Sequence, residues 1–324
     1  MNELPLISVV IPTRNRPELL LRAIRSVFAQ TYTKFEIIVV IDGHDAGSIE
    51  ALSSIRDPRL RYIEIANSGG GNQARNLGAS MANADWIALL DDDDEWLPEK
   101  LRRQVSILAE SGFNSQVVVA CRFVAREPKG DAVWPRRLPV EKETVGDYMF
   151  DCRSLFDGEA ALKTSTLMLS KKIVEETKFS TSVRKHQEID FLLRASRNEK
   201  LQLKFAEEPL AIWNVDAARS AINNERNWKQ SFDWIRSHRS KMGPKAYSGF
   251  LLVNLASESS GQGQWGAFVP ILTEAFIHGC PNAVQLVRYV CMWLLPPSVR
   301  QKVRLAVQRN RCAPPRVKTQ NVPA

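Results

Sequence analysis

The stretch Trp86-Ile87-Ala88-Leu89-Leu90-Asp91-Asp92-Asp93-Asp94 decides the reading of this chain. An apolar run with the length of a buried strand passes directly into four consecutive aspartates. Like charges in a row repel one another, so a strand that ends in them concentrates negative charge at the edge of a sheet. In open α/β sheets, ligands sit outside the carboxyl ends of the strands. Carboxylates gathered there suit a hard divalent cation, Mg2+ or Mn2+, which completes its shell with water and a phosphorylated substrate. The alternative is a solvated loop or helix start, because acidic residues favour the first helical turn. Asp94 and Glu95 are expected to serve that purpose ahead of Trp96-Leu97-Pro98-Glu99-Lys100-Leu101, with the proline in a first helical turn.

Outward from this stretch the same alternation recurs. Residues 7–11, 35–41 and 60–65 are short, apolar and rich in β-branched side chains, as buried strands are. Helical spacing fills the gaps: Leu19, Leu20, Ala23, Ile24, Val27 and Phe28 share one face, and similar patterns span about 48–55 and 72–81. Strands alternating with helices predict βαβ units, a mostly parallel sheet and an α/β fold. Further along, a helix to about residue 110 is expected, then a strand at 117–124 and a loop over 126–146. A strand at 164–169, a helix at 187–198 and a strand at 201–205 follow. From about residue 223 amphipathic helices replace strands, which places a boundary near residue 220.

Composition narrows the class. The 324 residues are 44% apolar and 25% charged, ordinary for a globular protein. The start has no basic segment followed by a long apolar one, so no secretory signal is expected. No run approaches the roughly 20 apolar residues that span a bilayer. Cys121, Cys152, Cys280, Cys291 and Cys312 are scattered and form no CxxC pair, which indicates neither a zinc site nor a disulfide framework and fits a reducing cytoplasm. The net charge of +8 equals the charge carried after Glu274, where eight basic residues and no acidic one occur. A basic amphipathic segment over 299–309 fits peripheral attachment at the inner face of a membrane; a core helix followed by a solvated tail is the alternative. Nucleic acid is not expected as a partner, since no binding motif accompanies the basic tail.

Several segments in order resemble a family 2 glycosyltransferase with the GT-A fold. They are Ser8-Val9-Val10-Ile11-Pro12-Thr13-Arg14-Asn15-Arg16, Phe35-Glu36-Ile37-Ile38-Val39-Val40-Ile41-Asp42-Gly43, Gln73-Ala74-Arg75-Asn76-Leu77-Gly78-Ala79 and Leu89 through Pro98. The resemblance is dense over 6–110, patchy to about 215 and faint beyond. It implies a catalytic domain over 1–220, with nucleotide-sugar binding in about 1–110 and the acceptor side in about 111–220. A helical region with the basic tail occupies 221–324.

The resemblance further implies a nucleotide-diphosphate sugar as donor, a divalent cation, and a glycan or lipid-linked acceptor. Pro12, Thr13 and Asn15 fall on the donor loop. Asp42 falls on a position that accepts a hydrogen bond from the nucleobase, or serves as a turn aspartate before Gly43; Ile41 stands where the family often has a second acid. Arg75 either contacts the donor's phosphates or fixes the acidic loop through a salt bridge. Asp91 and Asp93 match the two acidic positions of the DxD segment, with Asp93 as the direct metal ligand, and Asp92 lies between them at the donor. The family's base segment matches His186-Gln187-Glu188-Ile189-Asp190-Phe191-Leu192-Leu193-Arg194. Glu188 falls on the base, where the family has aspartate, and Asp190 is the other candidate; both also suit a helix N-terminus. His186 is expected to shape the acceptor site. No Gln-x-x-Arg-Trp segment of the processive polymerases occurs, which implies one sugar per encounter. The implied activity is inverting transfer of a sugar to an acceptor hydroxyl in polysaccharide or glycolipid synthesis. A nucleotidyltransferase and a non-catalytic nucleotide-sugar binding protein are the alternatives.

Overall fold

A computed structural model describes residues 4–127, 130–197, 200–215 and 228–295, with Val299. The first half is built as the apolar pattern predicts. Strands β1 (Ile7–Thr13) and β2 (Phe35–Asp42) are buried along their whole length, the signature of parallel strands covered on both faces. Strand β3 (Leu60–Ile65) lies at the sheet's edge and is only partly covered. Helices α1 (Pro17–Phe28), α2 (Ala46–Ser53) and α3 (Gly71–Ser80) connect these strands and β4 (Trp86–Leu89).

The strand order β3-β2-β1-β4 positions the site. The chain first winds outward from β1 to β3, then α3 carries it back across to pair β4 with the other side of β1. A crevice opens where winding reverses direction, beyond the carboxyl ends of β1 and β4. Thr13 and the acidic run that follows Leu90 are delivered to that crevice.

Past β4 the sheet turns mixed. Its order continues through β8 (Met168–Ser170), β6 (Val117–Glu127), β9 (Gln202–Asn214) and β5 (Glu95–Trp96), with β7 (Gly130–Trp134) on the other edge of β6. Several expectations are corrected here. Glu95 begins no helix: Glu95 and Trp96 pair antiparallel with Ile212 and Ala211, and helix α4 runs Lys100–Glu110. The expected loop over 126–146 contains the end of β6, all of β7 and the first residues of α5 (Val145–Phe150). Trp134 draws β7 in by packing near Phe123 and Trp213. The expected strand at 164–169 is a 3-10 turn, Thr164–Thr166, followed by the short β8. Strand β9 extends well beyond Phe205 because Glu207-Glu208-Pro209 lies within it; the register slips opposite Arg122 and admits Pro209 at such an irregularity.

Alternate residues of each central strand point to opposite faces. Ile7, Val9, Ile11, Ile37 and Val39 form one core with α1 and α4. Val10, Ile38, Val40, Ile87 and Leu89 form the other. That second core continues into α6 (Lys171–Thr177), α7 (Gln187–Ala195) and the C-terminal helices. These are α8 (Trp228–Ser237), α9 (Pro244–Gly249), a π-helical turn Phe250–Leu255, α10 (Ala256–Ser260), α11 (Phe268–His278) and α12 (Ala283–Leu294). The boundary expected near residue 220 and the tail beyond Val299 lie outside the described residues.

Gly78 sets how closely α3 approaches the sheet: a Cβ there would lie 2.4 Å from Val10 Cγ1 and 3.2 Å from Val40 Cγ2. Gly78→Ala is expected to lower stability by about 2 kcal/mol through overpacking, read as a lower urea midpoint with an unchanged slope.

Candidate active site

The crevice is a cleft of about 850 Å3. Pro12 and Thr13 end β1 at its floor, Asp42 ends β2, and Asp91 through Asp94 follow β4. Arg75 reaches it from α3, and Glu188 from the first turn of α7. Two of the sequence-derived candidates do not line it: Asn15 and Asp190. Asn15 adopts a left-handed backbone (φ 54°) and its N–H donates to Asp45, the residue that caps α2.

The acidic run divides. Asp92 is buried and accepts a hydrogen bond from the Thr13 hydroxyl at 2.8 Å. Burial first, and then the charge of Asp93, push its carboxyl up to about 6, against the Thr13 hydrogen bond and the Arg16 charge. Asp91, Asp93 and Asp94 converge instead, with one carboxylate oxygen of each lying within 4.8 Å of the others. One cation with bonds of about 2.0–2.5 Å can bridge oxygens spaced in this way. Asp94 enters this group although the sequence suggested a helix start; its carboxylate accepts from the Ser165 hydroxyl at 2.6 Å. Ser165 also accepts from the Asp91 N–H at 3.1 Å, and its carbonyl receives the Trp96 indole N–H. The Asp93 carbonyl accepts from Arg22 and Asn214, while Arg16 lies 3.2 Å from the Asp93 carboxylate.

Arg75 fixes the acidic loop. Its guanidinium, almost fully buried, donates to Asp91 at 2.6 Å, to Asn72 and to Gln187 on α7. Asp42 is engaged as well: it accepts from the backbone N–H groups of Gly69 and Gly70 and from the Ser68 hydroxyl. The triple-glycine segment is thereby tied to the end of β2. Gly70 takes φ 85°, a conformation that costs a side-chain-bearing residue energy.

Helix α7 carries two carboxylates in different settings. Among the described residues no hydrogen bond or ion pair occupies the half-buried Glu188 carboxylate, which faces the cleft. Asp190 is 2% exposed and points into the helical layer. It accepts from Arg194 at 2.8 Å and from the Trp234 indole at 3.0 Å, with His238 at 3.4 Å. Burial alone would raise its carboxyl, but the hydrogen bonds from His238, Trp234 and Arg194, with the Arg194 charge, hold it at about 2.

Residues that sequence reasoning passed over complete the walls. Trp213 lies near the end of β9, with the Lys163 ammonium 4.0 Å from its ring centroid. Asn254, Ser257 and Glu258 come from the π-helical turn and α10. A π-turn in a helix marks functional sites often enough to be a signal, but nothing in local sequence announces one. Glu258 accepts from Lys185 at 2.6 Å and from Ser231, which in turn lies 3.2 Å from the His186 ring. His186 caps α7 in a left-handed conformation and stacks on Trp234. Burial pushes its imidazole down to about 4, against the Glu258 charge.

The cleft thus joins a carboxylate cluster to a separate carboxylate at the switch point of an α/β sheet, the place where such sheets bind their ligands. The chain belongs to glycosyl transferase family 2, whose sequence profile matches residues 8–177, and it is a glycosyltransferase. It is 27% identical over 237 residues to the amylovoran biosynthesis glycosyltransferase AmsB of Erwinia amylovora, covering 70% of this chain and 76% of that protein. It is 25% identical over 272 residues to the putative colanic acid biosynthesis glycosyl transferase WcaA of Escherichia coli, covering 80% and 91%. The fold is shared with the mannosyltransferase PcManGT of Pyrobaculum calidifontis, solved with GDP-Man and Mn2+, at a TM-score of 0.58, 17% identity and coverage of 95% and 88%.

Two predictions separate the carboxylates and test the cap. Asp190→Ala is expected to cost about 2 kcal/mol, because it takes the shared acceptor from the Trp234 indole and the half-buried Arg194 guanidinium, whereas Glu188→Gln should stay within about 0.5 kcal/mol of the native protein; urea denaturation measures both. Because the folded pKa of His186 is about 4, below its ordinary 6.5, the unfolded chain takes up a proton between those values that the folded chain does not. Its contribution therefore falls as pH drops from 6.5 toward 4, by up to about 3 kcal/mol, and is flat above. His186→Asn, which tolerates the left-handed backbone, should flatten that part of the stability–pH curve.

Proposed function

We propose that this enzyme is an inverting, metal-dependent transferase that moves a sugar from a nucleotide-diphosphate sugar to an acceptor hydroxyl. The observation that carries the reading is one cleft faced by both the Asp91, Asp93 and Asp94 carboxylates and by Glu188, which is unengaged among the described residues. Asp93 and Asp91 hold Mn2+ or Mg2+ on this reading, and the cation supplies Lewis-acid neutralisation of the leaving diphosphate. Pro12, Thr13 and the loop tied to Asp42 bound the nucleoside side. Asp92 stays with Thr13, and Arg75 keeps Asp91 in place rather than contacting phosphate.

Glu188 is the base that takes the proton from the acceptor hydroxyl as that oxygen attacks the anomeric carbon. Asp190 is assigned an anchoring role on the same helix, because its oxygens are already occupied by Arg194, Trp234 and His238. Asn15 is assigned to the loop's backbone turn. The names of AmsB and WcaA, and the match to both over most of the chain, favour surface polysaccharide or glycolipid synthesis, with a glycan or lipid-linked acceptor. A cytoplasmic enzyme, peripheral at the inner membrane face, fits this acceptor class. Among the described residues no helix is long and apolar enough to cross a membrane.

The test is calorimetry with UDP-, GDP- and dTDP-sugars, each with Mn2+ and with EDTA. One nucleotide is expected to bind with metal and to lose at least about tenfold affinity in Asp93→Asn or EDTA, as loss of a charged ligand implies. Glu188→Gln should bind donor normally and turn over about 10²–10⁴-fold more slowly. Unchanged turnover in that variant removes Glu188 as the base, and release of pyrophosphate in place of nucleoside diphosphate makes the enzyme a nucleotidyltransferase.

A further inference from the structure

The basic side chains of the cleft differ in what holds them. Arg16 lies beside Asp92 and Asp93, Arg75 pairs with Asp91, and Lys185 pairs with Glu258. Arg14 donates to the Ser68 hydroxyl, on the Asp42 side. Lys163 also lines the cleft and is half-buried, yet among the described residues its ammonium meets no carboxylate and no hydrogen-bond acceptor. It rests over the Trp213 indole, 4.0 Å from the ring centroid. A ring face attracts the charge but gives the ammonium's three N–H donors no oxygen to bond.

Both members of this pair are held from behind. The Lys163 carbonyl accepts from the Thr166 N–H at 2.9 Å and from the Thr166 hydroxyl at 2.7 Å, which fixes the backbone at the start of the 3-10 turn. Trp213 pairs with Ala125 of β6, and its ring lies 6.0 Å from that of Trp134 and meets Phe123 edge-on at 6.2 Å. The same two short segments seat the acidic cluster. Ser165, two residues past Lys163, donates to Asp94 at 2.6 Å, and Asn214, next to Trp213, donates to the Asp93 carbonyl at 3.0 Å. The ammonium is therefore presented on the cluster's side of the cleft.

The charges of the site indicate its ligand. The carboxylates of Asp91, Asp93 and Asp94 are balanced by Arg75 and one divalent cation, and Arg16 answers Asp92. The donor's diphosphate then arrives with its negative charge uncompensated. As the acceptor oxygen bonds to the anomeric carbon, its proton passes to Glu188. The bond from that carbon to the sugar-linked phosphate breaks, and the electron pair leaves on the phosphate oxygen. The diphosphate so gains a further negative charge, which a fixed cation in a partly dry site stabilises. Lys163 offers a positive charge that no described side chain has claimed.

We propose that Lys163, propped on Trp213, contacts the sugar-linked phosphate of the donor and stabilises it as it departs. This rests on the transferase reading above and adds a residue to its leaving-group side. The test is calorimetry with UDP, GDP and dTDP in Mn2+, then with the monophosphate of the nucleotide that binds. Lys163→Gln is expected to weaken the diphosphate by about tenfold, as loss of a charge-assisted hydrogen bond implies, and the monophosphate by less than about twofold. Its affinity for Mn2+ without nucleotide and its urea midpoint should stay native. Trp213→Leu should lose part of the diphosphate affinity, and Lys163→Gln should cost less in that background than in the native chain, because the two side chains act as a unit. Native diphosphate affinity in Lys163→Gln overturns the proposal and leaves the lysine as a partner of Trp213 alone. Equal weakening of diphosphate and monophosphate, or a matching loss of Mn2+ affinity, overturns it too, since the variant then disturbs the nucleoside pocket or the cluster. Fully additive losses remove Trp213 as the prop. A native protein that binds none of the three diphosphates overturns the transferase reading and this proposal together, whereas binding that Lys163→Gln retains overturns this proposal alone.

Discussion

The cleft depends on a buried guanidinium. Arg75 is almost fully removed from solvent and is held by Asp91, Asn72 and Gln187, with the Phe179 ring 5.7 Å from its carbon. A charge in that position is tolerable only while its partners stay in place. The three partners belong to different parts of the chain: the acidic run after β4, the helix that carries Arg75 itself, and the start of α7. One ion pair therefore sets the distance between the carboxylate cluster and the helix that presents Glu188. It also answers the repulsion that four adjacent aspartates generate. Arg75 takes Asp91, Arg16 lies beside Asp92 and Asp93, Thr13 bonds Asp92, and Ser165 bonds Asp94.

The same principle divides labour along α7. Glu188 and Asp190 are two residues apart, so they leave the helix in different directions. Glu188 reaches the cleft, while Asp190 enters the layer formed by α8 and is satisfied there by Arg194, Trp234 and His238. His186, at the cap of the same helix, stacks on Trp234 and contacts Ser231. The C-terminal helices thus clamp α7 from behind and, through Asn254, Ser257 and Glu258, supply part of the cleft's wall. That wall lies beyond residue 177, where the family match ends.

The sequence by itself determined the parts that rest on contiguous residues. The fully buried strands 7–13 and 35–42, the helices between them and the delivery of Asp91 through Asp94 to the end of β4 all follow from local apolar runs and their periodicity. So did the shortlist of carboxylates and Arg75, because these stand in ordered motifs within short stretches. Local pattern was misled where tertiary contact overrides it. Glu207-Glu208-Pro209 reads as a strand end, yet pairing with β6 and a slip of register carry β9 on to Asn214 and bring Trp213 to the cleft. Glu95 reads as a helix start, yet pairing with Ile212 makes it a strand.

Only the tertiary structure decided which carboxylate faces what. Asp190 meets Trp234 on α8 and His238 just past it, Asp42 meets the loop before α3, and Asp94 meets Ser165 on the turn before β8. Periodicity records how much of a residue is buried, not which distant donor meets it. A side chain's role in this cleft is set by those donors, and they are brought together only when the sheet has closed and the helices have packed.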